Sequence, residues 1–578
     1  MRQHRFIVTR RHALLTIAGV GMGLLSGCAR QSPPETPPKP AAEAPKPTSV
    51  PAIVVPTPAP TAAAAPTAAP AAPAATGVPK VAIKRGGTMK VNAQNDWSTF
   101  DLHTSQTGTG ESPLVWDFLT QIVRNPTNGQ FEVKPSLAES WELPDPNTVV
   151  FKLRRGVKFH DGSEFDANVA KWNLERVINH PKSAAKSQLA SVESIEAVDP
   201  GTLRLKLKAP SPTLFVNLTS DARFIAMMSK AHHDKVGDEG VAKQAVGTGP
   251  FKMGEWKPGS QVTYERFDGY WKNGADGKPL PYPDKIELYF QADAAAALAR
   301  MRSGDLDYLP QVLGKDVGTV KSSPGLVYRD APWQATVYCI AFNARPGARF
   351  AGEQMKKVRQ AAMYALDREA IAKALGFGLG EAQYYLLAPG QIGFDESLPR
   401  YSFNVEKAKQ LMAEAGFPGG MDVTLDYISR PEDTQNAQLY QQMLEKIGIR
   451  LTLQPSERVA WVQKSGAGQF EMSAFQTGTP RPDSDLTLTA YVGAKGPSGW
   501  TGINDERIEK GLEEGRTTYD LAKRVEAYKK VQSVIYEDAY IGFTWRRNGA
   551  FALSKAVRDY EEPYLSLFAN STAVWLDR

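Results

Sequence analysis

Between Asp422 and Gln454 the chain reads as strand, helix and strand, in about 33 residues. Asp422 to Ile428 is the first strand. Ala437, Tyr440, Met443, Leu444 and Ile447 form a helical stripe that Gly448 closes, and Ile449 to Gln454 is the second strand. A βαβ unit of this kind implies a right-handed crossover between parallel strands, which commits this part of the chain to an α/β sheet. Just upstream, Asn404 is placed to cap a helix with apolar positions Val405, Ala408, Leu411, Met412 and Ala415, stopped by Gly416. Leu521, Val525, Tyr528, Gln532 and Ile535 mark the last amphipathic helix. Earlier segments read as hairpins. Phe251 to Trp256 and Gln261 to Arg266 flank Lys257-Pro258-Gly259-Ser260, with Pro and Gly where a type II turn needs them. Ser194 to Val198 and Thr202 to Leu207 flank Asp199-Pro200-Gly201. The first part is rich in antiparallel pairs and the later part in βαβ crossover.

The N-terminus carries an address. Arg2 to His12 is basic, and Ala13 to Gly27 is apolar over 15 residues, too short to span a bilayer comfortably but suited to a signal peptide. Arg10-Arg11 resembles a twin-arginine export signal, and general secretory leaders also carry such pairs. Leu25-Ser26-Gly27-Cys28 matches a lipobox, in which Cys28 is acylated and becomes the first residue after cleavage. From residue 29 to 80, 31 of 52 positions are Pro or Ala. Such a stretch cannot bury enough apolar surface to offset chain entropy. At about 3.1 Å per residue it reaches roughly 160 Å extended, and about 40 Å as a coil. The expected order is a signal peptide at 1–27, a lipid-anchored tether at 28–84 and a folded body beyond.

Charge and cysteine content narrow the function. The formal charge of +6 includes four leader arginines, and from Cys28 onward 64 basic residues face 62 acidic ones. A nearly neutral body gives no footprint for nucleic acid. Cys28 lies at the leader's end and Cys339 is then alone, so neither a disulfide framework nor a cysteine zinc cluster is available.

Several segments, in order, carry a resemblance. They are Arg85 to Val91, Pro135 to Trp141, Phe151 to Gly162, Gly247 to Phe251, Gly269-Tyr270-Trp271, Ala341-Phe342-Asn343, Val358 to Ala361 and Leu366 to Glu369. Together they resemble the extracytoplasmic solute-binding proteins of ABC importers, the large peptide/nickel-type family, over about 490 of 578 residues. The resemblance implies an α/β, two-lobed, type II periplasmic-binding-protein-like fold. The first lobe would span 85–337, with an extra subdomain at about 115–240, and return at 541–578. The second would span 338–540. Hinge strands would cross near Tyr338–Asn343 and Ile541–Thr544.

Ligands of open parallel sheets sit beyond the carboxyl ends of the strands. The strand Phe470–Phe475 follows the βαβ unit, so the loop Gln476 to Asp485 is a site candidate. It is similar to the family's ligand loop, commonly Gly-Trp and then Pro-Asp-Pro. Phe475 falls at the tryptophan and Pro482-Asp483 at Pro-Asp, while Gly478 stands where peptide-binding members place an aspartate for the ligand's amino group. Candidate contacts are Phe475, Gln476, Thr479, Arg481 and Asp483 in this region, with Trp97, Phe100, Tyr384, Tyr385, Trp500 and Trp545 as aromatic walls. Each keeps a second reading: Arg481 as a surface arginine, Asp483 and Asp485 as turn formers, and the aromatic side chains as core. Phe159-His160-Asp161-Gly162 reads as a structural turn. Adjacent His232 and His233 make a weak metal site, because neighbours point apart in regular structure.

The implied function is solute capture without chemistry. A small organic solute, peptide-like or otherwise, would draw two lobes together, and the closed form would deliver it to a permease with separate ATPase subunits. The protein would be a monomer, extracytoplasmic, held to the membrane through lipid on Cys28, and free of cofactor and metal. Two other readings stand beside it: a secreted hydrolase using a carboxylate pair, and a binding protein that feeds a sensor. No nucleophile elbow, phosphate-binding Gly-rich loop or zinc-protease motif supports the first.

Overall fold

Asn404 accepts a hydrogen bond from the Lys407 amide at 2.8 Å and starts the helix Val405–Glu414. Its buried side chains, Ala408, Leu411 and Met412, are those of the sequence stripe. The hairpin Phe251–Lys257 with Gln261–Arg266 turns where expected. Gly259 has φ of 72°, a conformation open to glycine, and the Ser260 amide closes on the Lys257 carbonyl at 3.0 Å. The strands Met421–Ile428 and Ile449–Ser456 pair in parallel across the helix Pro431–Glu445, as the βαβ reading requires. The computed structural model describes residues 82–105, 111–124, 131–222, 224–388, 391–398, 400–478, 483–494, 501–560 and 571–578. The leader, Cys28 and the Pro/Ala-rich segment lie outside them.

The chain forms a two-lobed α/β structure, as expected, and one hydrogen-bonded sheet runs through both lobes. Listed from one edge, its strands are Phe251–Lys257, Gln261–Arg266, Lys285–Phe290, Thr88–Ala93, Tyr308–Leu309, Ile541–Ser554, Leu326–Phe342, Met472–Thr477, Met421–Ile428 and Ile449–Ser456. The two long strands, Leu326–Phe342 and Ile541–Ser554, pair antiparallel and belong to both lobes. In the first lobe their residues Ala331, Ala550, Phe551 and Leu553 join the core around Val91, Leu288 and Leu309. In the second lobe Val337, Tyr338, Phe543 and Trp545 join the core around Val358, Leu425 and Leu444 on one face and Leu488 and Tyr528 on the other.

The passage between lobes therefore falls at 332–336 and 546–549, before the first expected hinge stretch and after the second. Tyr338–Asn343 and Ile541–Thr544 are interior to the second lobe, because both are hydrogen-bonded into its sheet and packed on both faces. A register break marks the passage: Ala331 pairs with Gly549 and Thr336 with Arg547, so 332–335 bulge opposite the single residue 548. Gly549 is required there, since a Cβ would lie 2.7 Å from the Gln334 carbonyl oxygen.

Within the segment expected as an extra subdomain, Ala138–Asp145, Thr148–Leu153, Thr202–Leu207 and Val192–Asp199 form a separate antiparallel sheet. The helix Ala167–Asn179 covers it and buries Leu174 and Val177 against Phe151, Leu203 and Leu205. Two resemblance motifs converge nearby on one buried carboxylate. Thr248 Oγ1 and Trp271 Nε1 donate to Asp117 at 3.0 and 2.8 Å, and the Tyr270 hydroxyl donates at 3.3 Å. Burial still pushes the Asp117 carboxyl upward. The last helix, Leu521–Glu537, departs from its sequence stripe: Leu521 is 60% exposed and Arg524 is buried beside Tyr528. Leu521 opens the first turn after the Asp520 cap, whereas Arg524 has a buried carboxylate to meet.

Candidate functional site

The carboxyl ends of Met421–Ile428, Ile449–Ser456 and Met472–Thr477 all point toward the passage between the lobes, because Thr477 pairs with Val337. Topology makes this edge the candidate binding position. Three adjacent strands place Gln476, Tyr338 and Trp545 side by side in register, so their side chains share one face. Tyr338 and Trp545 stack with centroids 4.3 Å apart and planes 3° from parallel. Trp545 Nε1 donates to Asn436 at 2.7 Å, and the Tyr440 and Thr544 hydroxyls link at 2.8 Å beneath the stack. Burial pushes the Tyr338 phenol far above its ordinary value, so it remains neutral.

Charged groups ring this aromatic floor in pairs. The loop after the first βαβ strand supplies Arg430, whose Nε donates to Asp433 at 2.5 Å. Asp433 also accepts from Gln476 Nε2 at 2.8 Å. Burial raises the Asp433 carboxyl above the usual range despite these two donors. Arg547, on the passage strand, pairs with Glu432 at the start of the crossover helix. Arg546, one residue earlier on that strand, is directed to the opposite face and bonds Glu381 on the short strand Gly380–Ala382. Burial disfavours the Glu381 charge, but Arg546 and Asn548 outweigh it and hold the carboxyl below its usual value. The site thus offers two arginine–carboxylate pairs, Arg430–Asp433 and Arg547–Glu432, partly open to solvent, beside a neutral aromatic surface, and Arg546–Glu381 is a third pair on the other face of the sheet. A ligand carboxylate can compete for a guanidinium, and a ligand ammonium for the carboxylate it releases.

The sequence candidates divide. Gln476 and Trp545 belong to this floor, with the Trp545 ring wholly buried in its stack. Trp97 and Phe100 take their core reading. They stack at 4.9 Å, Phe100 meets the face of Trp256 edge-on, and both lie inside the first lobe's cluster. Phe475 points to the sheet's other face and packs among Cys339, Trp461 and Leu488. Tyr384 and Tyr385 line a small recess with Arg368, Tyr401 and Phe543. There Arg368 and Arg400 each lie 5.1 Å from the Tyr384 ring centre.

Asp483 has a structural task. Both of its oxygens accept from Arg524 Nη2, at 2.7 and 2.8 Å, and one also accepts from the Asp485 amide at the start of the helix Ser484–Val492. Asp485 in turn faces Arg516 and Thr489. Thr479, Arg481 and Trp500 lie outside the described residues, as does Cys28. Arg430, Glu432, Asp433, Glu381, Tyr338, Arg546 and Arg547 were absent from the sequence candidates. The strand-end rule, applied to the βαβ unit itself rather than to the following strand, points to the first three.

Residues 132–499 match the family described as bacterial extracellular solute-binding proteins, family 5. Heme-binding protein A of Haemophilus influenzae is 28% identical over 445 residues, 71% of this chain and 78% of that protein. The dipeptide-binding protein of Escherichia coli K12 is 27% identical over 442 residues, covering 71% and 80%. Among solved structures, the periplasmic binding protein DppA of Helicobacter pylori, in complex with the peptide STSA, superposes with a TM-score of 0.72 at 23% identity, covering 86% of this chain and 99% of that one. AgaA of A. tumefaciens R10, in complex with agropinic acid, gives 0.69 at 28% identity, covering 85% and 99%. No helix among the described residues is long and apolar enough to cross a membrane. The match over residues 132–499 takes in the strand-end edge and most of both lobes, and this chain belongs to the family 5 extracellular solute-binding proteins.

Proposed function

We propose that this chain captures a small zwitterionic organic solute, of the size and charge pattern of a short peptide, and passes it unchanged to a membrane permease driven by separate ATPase subunits. The observation that carries the reading is the charge-balanced edge at the strand ends, where Arg430–Asp433 and Arg547–Glu432 flank the Tyr338–Trp545 stack. Balanced pairs suit a ligand bearing both signs, because each ligand charge replaces a partner rather than entering an unpaired site. Relatives whose names or bound molecules are a dipeptide, glutathione, a tetrapeptide and agropinic acid agree with such a ligand class. In this reading Cys28 carries the lipid and the Pro/Ala-rich segment lets the body reach its permease. The protein acts as a monomer outside the cytoplasm and needs neither metal nor cofactor.

Native mass spectrometry of protein purified from its own host tests the reading. The expected result is a bound species of a few hundred daltons that is released on denaturation. Re-adding it at 100 times its Kd should raise stability by about 2.7 kcal/mol. Arg547→Gln should weaken binding while leaving the unliganded melting temperature nearly unchanged, since the pair it removes is partly solvated. Steady conversion of the bound species to product would favour the hydrolase reading instead. Cys28→Ser should move the protein from the membrane to the soluble fraction.

A further inference from the structure

Away from the passage strands the two lobes meet a second time. Tyr519 stands immediately before Asp520, which caps the helix Leu521–Glu537 by accepting from the Ala522 and Lys523 amides at 2.9 and 3.2 Å. Its ring packs against the core of the separate four-stranded sheet, and its hydroxyl accepts from the Ser211 amide at 3.3 Å. In the first turn of the neighbouring helix Ser484–Val492, Leu486 packs against Ile122 and Val216 of the first lobe.

These two contacts share one support. Asp483 grips Arg524 three residues into the Tyr519 helix, and Arg524 Nε bonds the Gly515 carbonyl at 2.9 Å. Arg516 reaches Asp485 at 3.3 Å and Thr489 Oγ1 at 2.7 Å. Asp483 and Arg524 therefore join the helices Ser484–Val492 and Leu521–Glu537 into a block that presents both Tyr519 and Leu486 to the first lobe. Contacts far from a bending point exist only while the lobes are together, so their free energy acts wholly on the closed population.

We infer that Tyr519 and Leu486 are positioning residues for solute capture, a latch that sets the closed population and whose two halves are tied together through Asp483–Arg524. The inference builds on the solute-binding reading, but its test does not need a solute. Hydrogen exchange is followed on the purified full chain with nothing added. Tyr519→Ala should speed exchange about tenfold at Ser211. It should do the same in the strand Thr120–Arg124 and the helix Leu214–Asn217, whose second-lobe neighbour is Leu486. Tyr519→Phe keeps the ring and should leave the Thr120–Arg124 strand at wild-type rates.

A purely local role would speed Ser211 alone, and that outcome overturns the latch, as does no change at all. Should Tyr519→Ala fail to fold, Leu486→Ser supplies the reciprocal measurement. Faster exchange at Ser211 supports the latch, and an unchanged rate overturns it. Failure to find any co-purifying solute would count against the function proposed above and leave these exchange rates untouched.

Discussion

Replacing Asp483 with alanine leaves the Arg524 guanidinium in a site where its side chain is 6% exposed. The remaining partners are the Gly515 carbonyl at 2.9 Å and the Tyr528 hydroxyl at 3.3 Å, neither of them charged. Removing one member of a buried pair typically costs about 3–5 kcal/mol, since the other charge is desolvated without compensation. The same substitution deletes the cap of Ser484–Val492, worth on the order of 1 kcal/mol within that total. Urea unfolding of the unliganded protein, followed by tryptophan fluorescence, should show a lower midpoint for Asp483→Ala and for Arg524→Met. The double variant Asp483→Ala/Arg524→Met should recover part of the loss, with a coupling of about 2 kcal/mol or more. An unchanged midpoint for Asp483→Ala, together with abolished solute binding, would refute this reasoning and return Asp483 to the ligand contacts.

Other expectations test the interior. Burial pushes the His103 imidazole down to about 4 from 6.5, against the pull of Asp101, and Arg176 beside it adds to the depression. The unfolded chain then takes up the proton first, so stability is complete above pH 6.5 and falls as pH drops toward 4. The loss is on the order of 3 kcal/mol. Urea midpoints at pH 7 and 4.5 should differ less in His103→Gln than in wild type, and an equal slope in both would discount His103. Trp545→Phe keeps the stack on Tyr338 but removes the shorter of two donors to the Asn436 oxygen, leaving the Tyr440 hydroxyl at 3.4 Å, at a cost of about 1 kcal/mol in the same assay. Burial raises the Cys339 thiol well above its ordinary value, so a thiol reagent at pH 8 should label it only after denaturant is added.

Periodicity disclosed which residues share a face. The βαβ unit, both hairpins and the Asn404-capped helix are all local patterns, set by spacing and by single turn or cap residues, and all are present in the structure. What spacing could not disclose is the partner across the chain. Arg524 falls outside the apolar stripe of its helix, and the carboxylate that it meets in the interior lies 41 residues upstream. Asp483 carries two readings in the sequence, ligand contact and turn former, and its cap on Ser484–Val492 fits the second, while nothing in the spacing marks the distant guanidinium that occupies both its oxygens. Trp97 and Phe100 follow the opening strand as cleft residues would, yet meet Trp256 and Trp116 from other segments and close a core. The paired charges at the strand ends were legible only through topology, since Arg547 and Glu432 are 115 residues apart.

The bulge at 332–335 has a mechanical meaning. A continuous pleated sheet resists flexing across its strands, whereas a strip scored along one line folds there and nowhere else. In this molecule the scored line is four residues on one ribbon against Asn548 on the other, with Gly549 letting the backbones touch. A methyl group at Gly549 would meet the Gln334 carbonyl oxygen at 2.7 Å, so the two ribbons would have to part at the line on which the halves turn.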